Sequence, residues 1–131
     1  MDDPETGPDP VSHEIRRDVR LPRERRLDPA GYKRVFDGGK SVAGRGIVLW
    51  WTPADGCEIR LGVVASKRSF HDAVDRNRAR RRMREIFRLN RDFLRPGVDL
   101  VLVARPRIRS LDFAALTADF QKACRKAGIL A

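Results

Sequence analysis

Asp75-Arg76-Asn77-Arg78-Ala79-Arg80-Arg81-Arg82-Met83-Arg84-Glu85, running on into Ile86-Phe87-Arg88-Leu89-Asn90, is the stretch that organises the rest of the chain. It contains no Gly and no Pro, and Ala79, Met83, Ile86, Phe87 and Asn90 recur at helical spacing. The spacing predicts a long helix, from about Asp72 to Arg91, with one face packed on a sheet. Asn77, Arg78, Arg81 and Arg88 project from the opposite side, with Arg84 nearby. The guanidinium groups of Arg76, Arg78, Arg80, Arg81, Arg82 and Arg84 repel one another unless an anion neutralises them. Phosphate suits that task, because each guanidinium can fork two hydrogen bonds onto phosphate oxygens. A merely solvated face, paired with Asp75 and Glu85 alone, leaves most of this charge uncompensated.

Upstream, Ile47-Val48-Leu49-Trp50-Trp51-Thr52 is β-branched and aromatic, bounded by Gly46 and by the turn sequence Pro53-Ala54-Asp55-Gly56. Glu58 to Ala65 alternates and then becomes apolar around Leu61, Val63 and Val64. The two runs read as an antiparallel hairpin, with Ser41 to Arg45 as a short strand or extended lead before it. Trp50 and Trp51 alternate across their strand, so one faces the core, and either parity is open. Downstream, Pro96-Gly97 ends the long helical unit. Val98 to Ala104 is nearly continuously apolar, which predicts a central strand buried on both faces. Leu111-Asp112 opens a last amphipathic helix, with Phe113, Leu116 and Phe120 as its inward stripe. Near the start, Asp28-Pro29 is an N-cap followed by proline at the first helical position. That helix should run to about Phe36 and stop at Gly38-Gly39. The strands on either side of the long helix are natural parallel partners, a β-α-β unit that is ordinarily right-handed.

The chain has 131 residues, room for one domain, with 41% hydrophobic and 35% charged residues. Lys plus Arg number 28 against 18 Asp plus Glu, a formal net charge of +10. Asp2, Asp3, Glu5 and Asp9 concentrate acids at the start, so the body is more basic than the total. Such a field steers polyanions to the surface and supplies salt-sensitive affinity. Residues 1–20 carry Pro4, Pro8, Pro10, Gly7 and many charges, and read as a disordered tail. Residues 21–131 read as a single RNA-binding domain, entered by the basic extended segment from Leu21 to Leu27. Cys57 and Cys124 are the only cysteines and lack metal-ligand spacing. They are expected to be reduced thiols, at a strand edge and on a helix. No apolar run is long enough for a membrane span, and the acidic start suits no signal or transit peptide, so a cytoplasmic location is expected. No nucleophile–base pair and no carboxylate cluster suited to two metals is visible, so no catalytic residue and no metal ligand is assigned. His71, in the loop before the long helix, has no partner constellation for general-base work.

The ordered matches along the chain resemble one family. Ala65-Ser66-Lys67-Arg68 is followed by Ala73-Val74-Asp75-Arg76-Asn77-Arg78, with further basics on the next turns. Before it stand Arg26-Leu27, Tyr32, Phe36 and Gly39-Lys40, and after it Asp99-Leu100-Val101-Leu102-Val103-Ala104-Arg105-Pro106. Over residues 21–127 this is similar to the protein subunit of bacterial ribonuclease P. The resemblance implies an α+β two-layer sandwich of order α-β-β-β-α-β-α. Its sheet would be central, mixed and four-stranded, ribosomal-protein-S5-domain-2-like, with a left-handed β-α-β crossover in place of the ordinary hand.

It further implies an accessory subunit of an endoribonuclease whose RNA removes the 5′ leader of precursor tRNA, with Mg2+ held mainly by that RNA. No organic cofactor, membrane or obligate protein partner is expected. Arg76, Asn77, Arg78, Arg80, Arg81 and Arg84 would bind the catalytic RNA. Tyr32, Phe36, Lys67 and Arg68 would bind the leader of the precursor tRNA. Tyr32 and Phe36, four apart on one helix face, are placed either to stack on leader bases or to plug the helix onto the sheet. Asn77 is alternatively a local hydrogen-bonder from the helix start to the loop. Ser69-Phe70-His71-Asp72 departs from the family in lacking glycine and in being about one residue longer; Asp72 is a candidate helix cap. Arg82 stands where an apolar residue is common, so it either extends the basic surface or snorkels. The alternatives are a ribosomal-protein-like structural RNA binder without a role in cleavage and, more weakly, a DNA-binding helix.

Overall fold

A computed structural model describes residues 26–56 and 58–130, and the element order is the expected one. The tail at 1–20, most of the lead-in and Cys57 lie outside the described residues. Helix α1 (Pro29–Gly38) is followed by strands β1 (Lys40–Ala43), β2 (Ile47–Pro53) and β3 (Ile59–Val64). The long helix α2 (Ala73–Asn90), strand β4 (Val98–Ala104) and helix α3 (Phe113–Ala127) complete it. Single 3-10 turns at Arg91–Phe93 and Pro106–Ser110 flank β4.

The sheet runs β1-β2-β4-β3, mixed and four-stranded. β4 is parallel to β3 and antiparallel to β2, with Trp50 opposite Val101 and Gly62 beside Val101. The expected hairpin of β2 with β3 therefore does not form. β4, buried along almost its whole length, lies between them, because two apolar faces are satisfied only at the centre. The turn after β2 crosses the start of β4 instead. Ala54 donates to the Gly97 carbonyl and Gly97 donates to the Glu58 carbonyl, at 2.8 and 3.0 Å.

One sheet face carries Ile47, Leu49, Leu61, Val63, Leu100 and Leu102 and packs against α2 and α3. The opposite face carries Val101, on which Leu27, Tyr32 and Val35 close, with Phe36, Trp50, Val64 and Val103 around them. α1 thus forms a partial third layer that the two-layer expectation leaves out. α2 buries Ala79, Met83, Ile86, Phe87 and Asn90, the face predicted. Asn90 donates to the Ile86 carbonyl at 2.8 Å and accepts from Gln121 at 2.9 Å, which ties α2 to α3 without an orphaned polar group.

Helix caps follow the sequence in two of three places. Asp28 accepts from the Gly31 N–H and Asp112 from the Ala115 N–H, each at 2.8 Å. Asp72 occupies the N-cap of α2 but its side chain accepts no capping hydrogen bond; the loop there is held from the other side, by Arg76. Phe113 is 43% exposed and does not join the inward stripe of α3. Ile108 from the preceding 3-10 turn is buried, and the stripe starts at Leu116 and continues through Phe120, Ala123 and Cys124.

Candidate nucleic-acid interface

Ala79, Met83, Ile86 and Phe87 fix the rotation of α2, and the positions opposite them face outward. Asn77, Arg78 and Arg81 are exposed, and Arg80 and Arg84 are half-buried at the flanks. Asn77 accepts from Arg80 Nη2 at 2.6 Å, so its amide orients a neighbouring arginine and does not reach the loop. Arg76 is different. Its guanidinium donates to the carbonyls of Phe70 and His71 at 2.9 and 3.0 Å, fixing the loop that enters the helix. That loop is tight without glycine: Phe70 donates to the Ser66 carbonyl, Ser69 N–H donates to Ser66 Oγ, and the Phe70 ring is fully buried. Lys67 and Arg68 remain exposed where β3 ends.

Arg82 neither extends the outer surface nor snorkels into water. It donates to the carbonyls of Ile108, at 2.6 Å, and Leu111, clamping the 3-10 turn onto α2. Burial, and next the charge of Arg78, lower its pKa from the usual arginine value. The sequence signal for this clamp was the arginine in an apolar place; only the position of the 106–110 turn reveals its partners.

On the other side of the sheet, Tyr32 is a core residue, 4% exposed. Its hydroxyl accepts from the Val63 N–H at 3.0 Å, and its ring fills the space over Gly62. Phe36 is only half-buried and meets Trp50 edge to face, ring centroids 5.2 Å apart. This settles the tryptophan parity: Trp50 stands on the α1 side, while Trp51 packs against the larger core. Beyond the part covered by α1, the same sheet face presents a half-exposed row of Val48, Val103 and Val64, in register across three strands. Arg105 and Lys67 follow where that row ends.

A residue set with no anticipated role lies beneath α1. Asp99, the one charged position in β4, is fully buried and receives Arg34 at 2.7 Å and both Nε and Nη2 of Arg60 at 2.9 Å. The hydrogen bond to Asp99 raises the Arg60 pKa above its ordinary value, against the opposing effect of burial. Its only sequence signal is an acid inside an apolar strand, which asks for a buried counter-charge. Among the described residues no three His, Cys, Asp or Glu side chains come together as a metal site, and no helix is long and apolar enough to cross a membrane.

The geometry can therefore neutralise phosphates along α2 and offer an aromatic and apolar surface on the opposite face of the sheet. A family model described as Ribonuclease P matches residues 21–128. The chain belongs to the ribonuclease P protein family. The ribonuclease P protein component of Thioalkalivibrio sulfidiphilus is 38% identical over 106 residues, covering 80% of this chain and 88% of that protein. That of Thermus thermophilus is 38% identical over 126 residues, covering 83% of this chain and 74% of its own. Among solved structures, the ribonuclease P protein of Staphylococcus aureus superposes with a TM-score of 0.72 at 24% identity, over 82% of this chain and 98% of that one. The Thermotoga maritima protein gives 0.67 at 24% identity, over 86% and 93%. These two share the fold. Family membership makes the chain an accessory protein subunit of ribonuclease P, a tRNA-processing ribonucleoprotein, and the ribosomal-protein-like alternative is not favoured.

Proposed function

We propose that the protein binds the catalytic RNA of ribonuclease P through the outer face of α2 and the 5′ leader of precursor tRNA on the sheet face beside α1. The observation that carries this is the division of α2 itself. Its apolar side is committed to the sheet, so Asn77, Arg78 and Arg81 stand free of the core on a predominantly cationic surface, with Arg80 and Arg84 beside them. Arg76 serves as a positioning residue through its two carbonyl contacts. On the leader side, Phe36 and Trp50 supply faces on which unpaired bases stack irrespective of sequence, and Lys67 and Arg68 supply charge for the backbone. Tyr32 shapes that surface from behind. In this reading Mg2+ is held mainly by the RNA. The cytoplasm is the location this reading requires.

The test is reconstitution with a bacterial ribonuclease P RNA and precursor tRNA at low magnesium. The wild-type protein should stimulate 5′ cleavage. Arg78→Ala with Arg81→Ala should weaken RNA binding by on the order of tenfold or more and flatten its salt dependence. Phe36→Ala should cost roughly tenfold in substrate affinity with a long leader and nothing with a leader trimmed away. Absence of stimulation by the wild-type protein refutes the proposal, and equal losses with both substrates refute the leader surface.

A further inference from the structure

We infer that the 3-10 turn Pro106–Ser110 is a second RNA-phosphate-docking element, with Arg109 and Arg78 forming a two-armed clamp over a notch between the turn and α2. This rests on the reading of α2 as the RNA-docking helix and extends that surface to a segment far away in sequence.

The turn is built to hold its arginines still. Pro106 fixes its first position, Ile108 is buried as an anchor, and Ser110 Oγ donates to the Arg107 carbonyl at 3.0 Å. Arg82 clamps it from α2 through the carbonyls of Ile108 and Leu111. The flanking Arg107 and Arg109 are left exposed. Between turn and helix is a notch of about 90 Å³ lined by Asp75, Arg78, Ala79, Arg82, Ile108 and Arg109. Three of the six are arginines and only one is an acid. The floor is apolar, so charges at the rim are poorly hydrated from below and gain more from an anion than charges on an open face.

Arg109 is pre-oriented but not used up. Its guanidinium lies 5.1 Å from the centroid of the Phe70 ring, and its contact with Asp75 is loose at 3.6 Å, with both side chains partly solvent-exposed. An exposed pair of that length is worth little, and a phosphate offering two oxygens displaces it readily. Arg82 adds a reason for an anion here. Its two named partners are carbonyls without net charge, and burial and Arg78 disfavour its cation more than the nearby Asp112 favours it. A phosphate in the notch adds a second opposing charge to that of Asp112.

The experiment measures equilibrium binding of the full-length protein to a bacterial ribonuclease P RNA across a salt series, with thermal stability recorded for each variant. Arg109→Gln should lower affinity roughly five- to tenfold and reduce the salt slope by about 0.7–0.9, with the melting temperature little changed. Asp75→Asn should act in the opposite direction, tightening binding roughly two- to fivefold by removing the competitor for Arg109. A structural ion pair would make both variants weaker and less stable. Arg81→Ala, away from the notch, reports on the underlying reading. If Arg81→Ala weakens binding while Arg109→Gln does not, or if Asp75→Asn also weakens it, the clamp is wrong and the helix reading stands. If neither arginine variant changes binding, both fall.

Discussion

Gly62→Ala offers a test of how α1 is seated. A Cβ at Gly62 would lie 2.5 Å from Tyr32 Oη and closer still to Cζ and Cε1, inside any tolerable contact. The glycine is in ordinary extended backbone within β3, so conformational freedom is not the reason for it. Its space is. Insertion of a methyl group into such packing costs about 1–3 kcal/mol. Displacing the ring also breaks the hydroxyl contact with the buried Val63 N–H, for another 1 kcal/mol or so. The intrinsic preference for alanine over glycine in a strand returns about 0.5–1 kcal/mol. The net expectation is about 2–3 kcal/mol, a fall in melting temperature on the order of 10–15 °C for a domain of this size. Urea denaturation of a double-mutant cycle with Tyr32→Leu checks the cause. Leucine lacks the outer ring atoms, so in that background Gly62→Ala should be neutral or mildly stabilising. An undiminished cost in the Tyr32→Leu background would refute the ring-on-glycine account.

Two further outcomes follow from buried groups. Arg60→Met leaves the buried Asp99 carboxylate with the half-exposed Arg34 alone and should cost about 3–5 kcal/mol, whereas Asp99→Asn lets both arginines relax into water and should cost nearer 1 kcal/mol; denaturant midpoints in the reverse order would show that the charge is not buried as described. Burial pushes the Cys124 thiol up from 9.0 to about 12, so the folded state holds its proton more tightly than the unfolded chain. Its stabilising contribution is whole below pH 9 and declines toward pH 12. The stability difference between wild type and Cys124→Ala should shift against the wild type by roughly 1.4 kcal/mol per pH unit across that window, and a constant difference would rule out the sequestered thiol.

The arginine helix was legible because two signals coincide in Ala79–Phe87: apolar spacing sets the inward side and arginines occupy every other position but Glu85. The strand segments were legible too, and β4 announced its central place by lacking polar positions apart from Asp99. The partner of β2 was not. Adjacent strands joined by a turn sequence suggest a hairpin, and only the demand of β4 for neighbours on both sides overrides it. Local chemistry also hid which arginines look outward. Arg76 and Arg82 stand among Arg78 and Arg81 with the same side chain, yet their partners are carbonyls of residues 70, 71, 108 and 111, set by loop paths that periodicity does not encode. Tyr32 and Phe36 share a helix face, and what separates them is a glycine thirty residues away in sequence from the tyrosine.

The outermost strand β3 carries a consequence for how this molecule meets others. Its unpaired margin would be a template for adding a foreign strand, the usual route by which sheets stick together. Here the Leu61 carbonyl is taken by the Leu27 N–H at 3.2 Å, and the Val63 N–H by the Tyr32 hydroxyl. The opposite margin, β1, is four residues long and mostly exposed. The centre of the β3 margin is thus closed to a foreign strand, and the shortness of β1 limits what can pair there.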